Sequence, residues 1–255
     1  MKIAVCIKQV PTREWQPRLN DDKTWIREQD VSYEMNEPDA YALEEALRLR
    51  EKHGGEVVVC SAGPARVQQV IREALARGAD RAIHVDDDRL ASADAFVTAD
   101  ALAAAMADER FDLVLTGLQS DDLGQAQLGV VLAERLAIPH STIIMEVQVD
   151  TATNSVRVKR ELEGGWFQWI GMPLPALLTI QSGINQLRYA TLKGIMAAKK
   201  KEIRRVGMPQ GLQPVQQIVA LAMPTRAKQT QLISGSAGEA AKELTRRLRE
   251  EARVL

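Results

Sequence analysis

The chain alternates short aliphatic runs with longer segments whose apolar residues recur at helical spacing. Ile3–Ile7, Val57–Cys60, Ala82–Val85 and Leu113–Thr116 read as strands, each nearly continuous in small and branched apolar residues. Such continuity marks strands buried on both faces. Between them, Pro38 to Lys52 places Ala42, Leu43, Ala46 and Leu47 on one helical face, and Gly54-Gly55 stops it. Val67, Val70, Ile71, Ala74 and Leu75 form the stripe of a second helix, closed by Gly78. Asp94 to Met106 and Gly124 to Leu136 predict two more helices. Repeated strand–helix units predict an α/β fold with a mainly parallel, doubly wound sheet covered on both faces. Ligands of such sheets bind at the carboxyl ends of the strands. Here those ends are the loops after Ile7, around Asn36–Asp39, at Ser61–Pro64 and at Gly117–Gly129.

The pattern changes after about residue 140. Thr142–Val149 and Ser155–Glu163 alternate polar and apolar residues around Asp150–Asn154, which predicts an antiparallel hairpin. Gly164-Gly165 turns the chain, and Pro173–Ile180 predicts another strand. Trp166 and Trp169 are expected either to cover hydrophobic surface or to stack on a flavin. Residues 206–230 hold Pro and Gly with no period and read as an extended arm. Ser236-Ala237-Gly238-Glu239 is a capping box for a last helix with Ala240, Leu244 and Leu248 on one face. The expected division is an α/β domain over 1–205, including a docking segment at 184–205, followed by an arm and helix over 206–255.

Composition narrows the function classes. Aromatic residues make up only 4% of the chain, so the core must be aliphatic. Lys plus Arg is 33 against 34 for Asp plus Glu, a net charge of −1 that argues against a general nucleic-acid binder. No apolar run is long enough to cross a membrane. The first strand begins at once, so no signal or transit peptide is expected, and the location expected is cytoplasmic, or the mitochondrial matrix for a eukaryotic source. Cys6 and Cys60 sit inside aliphatic runs and predict buried free thiols. Without a CxxC pair, and with His53, His84 and His140 far apart, no metal site is expected. Glu44, Glu45 and Glu51 fit an exposed helix face.

The stretch from Gly117 to Gly129 is the most informative. It follows a strand, enters a helix, and carries small polar residues between glycines. Glycines let backbone approach a ligand closely, and helix N-terminal N–H groups favour phosphate. The spacing is neither GxGxxG nor a P-loop, because no Lys follows the second Gly. A nucleotide site and an ordinary polar loop both remain open on spacing alone. No GxSxG, paired Cys and His, or His–carboxylate motif is present. Farther on, Tyr189, Leu192, Ile195 and Met196 are apolar residues in a polar context, followed by Lys199-Lys200-Lys201. They fit either a surface helix with snorkelling lysines or a docking loop whose charges steer the encounter.

Several stretches carry a resemblance. They are Val158–Gly165, Leu174–Thr179, Asn185–Leu192 and Ile195–Lys201, with Val5–Val10, Asn36–Ala46, Ala76–Ala82 and Gln119–Gly129. Together they resemble the beta subunit of electron-transfer flavoproteins, from residue 2 to the C-terminus. The resemblance implies an electron carrier rather than an enzyme. It implies a heterodimer with an alpha subunit, one FAD held mainly by alpha, and a structural AMP in beta. Electrons would come from flavin dehydrogenases and go to a quinone oxidoreductase. Carried over by position, AMP would contact Cys6, Asn36, Glu37, Pro38, Asp39 and Ala62. It would also contact the run Ser120, Asp121, Asp122, Gly124, Gln125, Ala126, Gln127, Leu128, Gly129, Val130 and Val131. Leu192 falls at the anchor position of the docking loop. Arg13 stands where an aromatic residue near the flavin is common. The loop Asp121-Asp122-Leu123-Gly124-Gln125 differs from the Asp-Gly-Asp-Thr-Ala-Gln of electron-bifurcating relatives, which hold a second FAD in place of AMP. That departure favours AMP. The alternatives are a bifurcating member and a stand-alone adenine-nucleotide enzyme on the same fold.

Overall fold

In the computed structural model, which describes residues 1–224 and 230–255, the expected aliphatic runs become the centre of one sheet. The elements run β1 (Lys2–Cys6), β2 (Gln9–Pro11), β3 (Tyr33–Met35), α1 (Glu37–His53), β4 (Glu56–Gly63), α2 (Gln68–Arg77), β5 (Arg81–Asp86), α3 (Ala95–Met106), β6 (Leu113–Gly117) and α4 (Leu128–Arg135). They continue β7 (His140–Asp150), β8 (Ser155–Glu161), β9 (Phe167–Pro173), β10 (Ala176–Ile180), α5 (Leu192–Ala198), β11 (Ile203–Val206) and α6 (Ala237–Glu250). The main sheet is ordered β11-β5-β4-β1-β6-β10-β7-β8-β9. From β11 to β7 neighbouring strands are parallel, while β7, β8 and β9 are antiparallel. The α/β, mainly parallel, doubly wound architecture is as expected.

Alternation along the strands builds two cores. Ile3 and Val5 face one side with Val57, Val59, Leu113 and Leu115, under α1 and α2. Ala4 and Cys6 face the other with Val58, Cys60, Ile83 and Val85, under α3 and α4. Both thiols are free and buried, as expected. Burial holds the Cys6 thiol well above its ordinary range and pushes Cys60 up to about 12, so neither is a reactive thiolate.

Several expectations need correction. The helix expected from Gly124 starts only at Leu128, because Gly124 and Ala126 hold φ values of 62° and 53°, which no right-handed helix accommodates. The strand expected over 173–180 is two strands: β9 ends at Pro173 and β10 begins at Ala176, since Pro175 has no N–H for a ladder. β9 itself extends the expected hairpin to three strands and carries Phe167 and Trp169 on its open face. Of the two tryptophans expected to cover hydrophobic surface or to stack on a flavin, Trp166 is 75% exposed and Trp169 38%. Glu44 and Glu45 are buried rather than exposed, because residues 185–188 fold back over that face of α1.

The chain divides into two compact units, Met1–Ala220 and Leu221–Leu255. Within the first, Met208 and Leu212 pack against the core beneath α3 and α4. The Asp94 carboxylate accepts from the Val215 and Gln216 N–H groups at 2.6 and 2.8 Å. Within the second, α6 opens with the expected capping box between Ser236 and Glu239. Residues 225–229 of the expected arm lie outside the described residues. No helix among the described residues is long and apolar enough to cross a membrane.

Candidate functional site

Strand β1 has β4 on one side and β6 on the other, so connections leave in opposite directions at its carboxyl end. A crevice at such a point is a consequence of topology. The carboxyl ends of β1, β4 and β6, together with the amino ends of α1, α3 and α4, enclose a cleft open to solvent.

Buried Asp39 ties this end of the sheet together. Its Oδ2 accepts the Lys8 N–H at 2.7 Å, just past β1, and its Oδ1 accepts the Gly117 N–H at 2.9 Å, at the end of β6. Burial raises its carboxyl to about 7, against the pull of those two N–H groups. Asn36, also buried, holds the loop after β6: Nδ2 donates to the Gln119 carbonyl and Oδ1 accepts the Asp121 N–H, both at 2.9 Å.

The loop then turns through Gly124, whose N–H donates to the Ser120 carbonyl at 2.8 Å, and delivers α4 to the cleft. Two helices present contrasting amino ends. That of α3 is capped by Asp94, which accepts the Val97 N–H at 2.8 Å. That of α4 has no side-chain cap, and Leu128 and Gly129 in its first turn line the cleft. A Cβ on Gly129 would lie 2.9 Å from Thr116 Oγ1, so only glycine lets α4 come this close to the sheet. Uncapped N–H groups and the helix dipole favour a small anion there. Leu90, Ala91, Ala93 and Leu102 supply an apolar wall suited to a flat ring.

Two cations at the rim are already matched. Lys8 Nζ donates to the Asp122 carboxylate at 2.7 Å and to Ser120 Oγ at 3.3 Å. Arg13 pairs with Glu37 and lies 3.5 Å from Asp121. With no unmatched cation in these pairs, the arrangement suits one phosphate held by backbone rather than a triphosphate.

Of the expected nucleotide contacts, Cys6, Asn36, Asp39, Ala62, Ser120, Gln125, Ala126, Leu128 and Gly129 are brought together as lining. Glu37, Pro38, Asp121, Asp122, Gly124, Gln127, Val130 and Val131 are not among the lining residues. Glu37, Asp121 and Asp122 hold the rim cations instead, and Val131 packs into the core. The Gln127 Oε1 atom is buried with no hydrogen-bond partner among the described residues. Lys8, Thr98 and Thr116 line the cleft without having been singled out. Lys8 was within reach of sequence reasoning, since it lies in the loop after the first strand.

The expected docking residues lie elsewhere on the first unit. Tyr189 is 90% exposed, Leu192 84%, Met196 63% and Ile195 44%. Leu192 does not sit in a loop. It opens α5, capped by Thr191, whose Oγ1 accepts the Gly194 N–H at 3.0 Å. Lys201 is not a free steering charge: its Nζ donates to the Leu75 and Ala79 carbonyls at 3.0 and 2.5 Å and so closes α2.

Known proteins resemble this chain over most of its length. Residues 23–210 match the family described as Electron transfer flavoprotein domain. An electron transfer flavoprotein subunit beta from Methylophilus methylotrophus is 40% identical over 210 residues, 82% of this chain and 80% of that one. The subunit beta of Thermoanaerobacterium thermosaccharolyticum is 38% identical over 259 residues, 97% of this chain and 98% of its own. Protein FixA of Azotobacter vinelandii is 38% identical over 209 residues, 80% and 74% of the two chains. With its match spanning most of the parallel sheet and the cleft at its switch point, the chain belongs to the electron transfer flavoprotein family, as a beta subunit.

Proposed function

We propose that this beta subunit forms a heterodimer with an alpha subunit, holds AMP in the cleft at the switch point, and helps position an FAD bound mainly by alpha. The FAD, when bound, supplies the redox chemistry by which electrons pass from flavin dehydrogenases to a quinone oxidoreductase. This chain's own residues bind, orient and dock. The observation that carries the reading is the uncapped amino end of α4 beside a rim whose cations are already paired. One phosphate fits there on backbone N–H groups; a reacting triphosphate would need further positive charge. Asn36 and Asp39 hold the loop and the strand ends in place for it, and the apolar wall takes the base. Arg13, at the rim, is the residue assigned to the side facing FAD, its charge balanced by Glu37 and Asp121. Tyr189, Leu192, Ile195 and Met196 form the face offered to flavin dehydrogenases.

The arm and α6 are assigned to the alpha subunit. Val215, Val219, Leu232 and Leu244 are 67%, 85%, 89% and 49% exposed, an apolar series that needs a cover. The test is to release and quantify the nucleotides of the purified heterodimer. One FAD and one AMP per heterodimer is the expected result. Two FAD and no AMP would replace this reading with an electron-bifurcating one, and ATP turnover by this chain without alpha would replace it with a stand-alone enzyme.

A further inference from the structure

The exposed residues of α5 rest on an unusually well-anchored base, and that base is made of residues with no other evident task. Arg188, immediately before Tyr189, is a two-carboxylate clamp. Its Nε and Nη2 reach the buried Glu44 carboxylate at 2.8 and 2.9 Å, and Nη1 reaches Glu51 at 2.6 Å, both on α1. Asn185 adds a bond to Glu45 at 3.0 Å and one to the Tyr41 carbonyl at 3.1 Å. From the other side, Arg72 of α2 donates to the Ala198 and Lys201 carbonyls at 2.6 and 2.8 Å, closing the carboxyl end of α5. Between these ties, Gly194 lies so close to α2 that a Cβ would run into the Ala76 carbonyl oxygen.

We propose that Arg188 and Gly194 are positioning residues that pre-shape a rigid docking face, on which Tyr189, Leu192 and Met196 are held ready for an apolar pocket in the partner. This inference rests on the assignment of that face to flavin dehydrogenases. Ordering rotamer-rich segments at the moment of binding costs affinity, and a face ordered in advance avoids that cost. Charge fixes the kind of partner surface. No acidic residue occurs from Tyr189 to Lys201, and Lys193, Lys199 and Lys200 are exposed. The matching pocket is therefore apolar with an acidic rim.

Gly194 makes the inference testable against the ordinary expectation. In an exposed helix Gly→Ala favours the helix, so helix propensity alone predicts that Gly194→Ala leaves docking unchanged or improved. The close approach to Ala76 predicts the reverse: α5 must shift off α2. The experiment uses the FAD-loaded heterodimer and a donor flavin dehydrogenase, with Gly194→Ala, Arg188→Lys and Leu192→Ala compared with the unaltered protein. Gly194→Ala and Arg188→Lys are expected to raise the KM for this electron carrier about fivefold or more, with kcat and FAD content unchanged. Amide exchange should rise in residues 192–198 but not in β1 or β6. An unchanged KM in both variants, while Leu192→Ala raises it, overturns the positioning roles alone. An unchanged KM in Leu192→Ala overturns the docking assignment beneath them. A fall in FAD content or kcat in step with KM makes the two residues merely structural and also overturns the proposal.

Discussion

Asp39 Oδ1 accepts the Gly117 N–H at 2.9 Å, and Gly117 has no room for any side chain beside it. A Cβ at 117 would press on that same oxygen and lie 2.7 Å from the Pro38 Cβ and 2.8 Å from the Asp39 nitrogen. The end of β6 and the start of α1 are thus packed backbone to backbone across the floor of the cleft.

Gly117→Ala should therefore destabilise the heterodimer by about 1–3 kcal/mol, the usual cost of overpacking, and, if the cleft holds the proposed AMP, lower the amount retained. A thermal melt and nucleotide quantification check this. A melting temperature equal to that of the unaltered protein would show that α1 and β6 can move apart freely.

Asp39 also predicts a pH dependence. Its folded carboxyl titrates at about 7, above the ordinary carboxylate range, because burial disfavours the charge. The unfolded chain releases this proton near pH ~4, so Asp39's contribution to stability is complete below that pH. It is lost progressively as pH rises toward about 7 and is constant above. Asp39→Asn should remove this component, while lowering stability throughout by about 1–3 kcal/mol because one N–H loses its acceptor. Melts at pH 5 and pH 8 decide the matter: an identical pH difference in both proteins would contradict it.

The lysines after α5 should separate by role. Lys199→Gln with Lys200→Gln is expected to slow association with a donor dehydrogenase at low salt, the difference fading as ionic strength rises. Lys201→Gln should instead destabilise by about 1–2 kcal/mol, because it removes the charged donor from the Leu75 and Ala79 carbonyls. Stopped-flow rates across a salt series, paired with melts, distinguish them. Equal behaviour of the Lys199/Lys200 double variant and the Lys201 variant in both assays would refute the division.

Leu192→Ala, at a position 84% exposed, should change heterodimer stability by no more than ~0.5 kcal/mol. Its loss from a partner pocket should cost roughly 1.5 kcal/mol or more, at least about tenfold in affinity. A melt lowered by many degrees would instead make it a packing residue.

Ser236→Ala removes one half of the capping box at the start of α6. The local cost is about 1 kcal/mol of helix stability. If α6 is held by alpha, that loss should appear as weaker heterodimer association, read by titrating one subunit into the other. An association constant unaffected by the change would argue that α6 makes no part of that interface.

Much of the fold was legible because it rests on local rules. Continuous aliphatic runs such as Val57–Cys60 had to be buried strands, and the stripe from Val67 to Leu75 had to be a helix face. Gly54 and Gly78, at φ values of 73° and 136°, end their helices as their lack of a side chain allows. The cleft could be placed on the right loops because topology alone puts it at the switch point. What tertiary structure decided lay in residues whose partners are far away in sequence. Glu44 and Glu45 read as solvent-facing until Arg188 and Asn185, about 140 positions later, cover them. Lys8 and Asp122, Arg13 and Glu37, and Asp39 and Gly117 are likewise pairs joined only by the way strand ends converge. The backbone of 124–127 escaped its helical pattern because positive φ at Gly124 and Ala126 is set by the loop's closure over the cleft. Periodicity is a property of neighbouring residues and is written in the sequence. The matching of charges and hydrogen bonds across the cleft depends on which chain ends the folded sheet brings together.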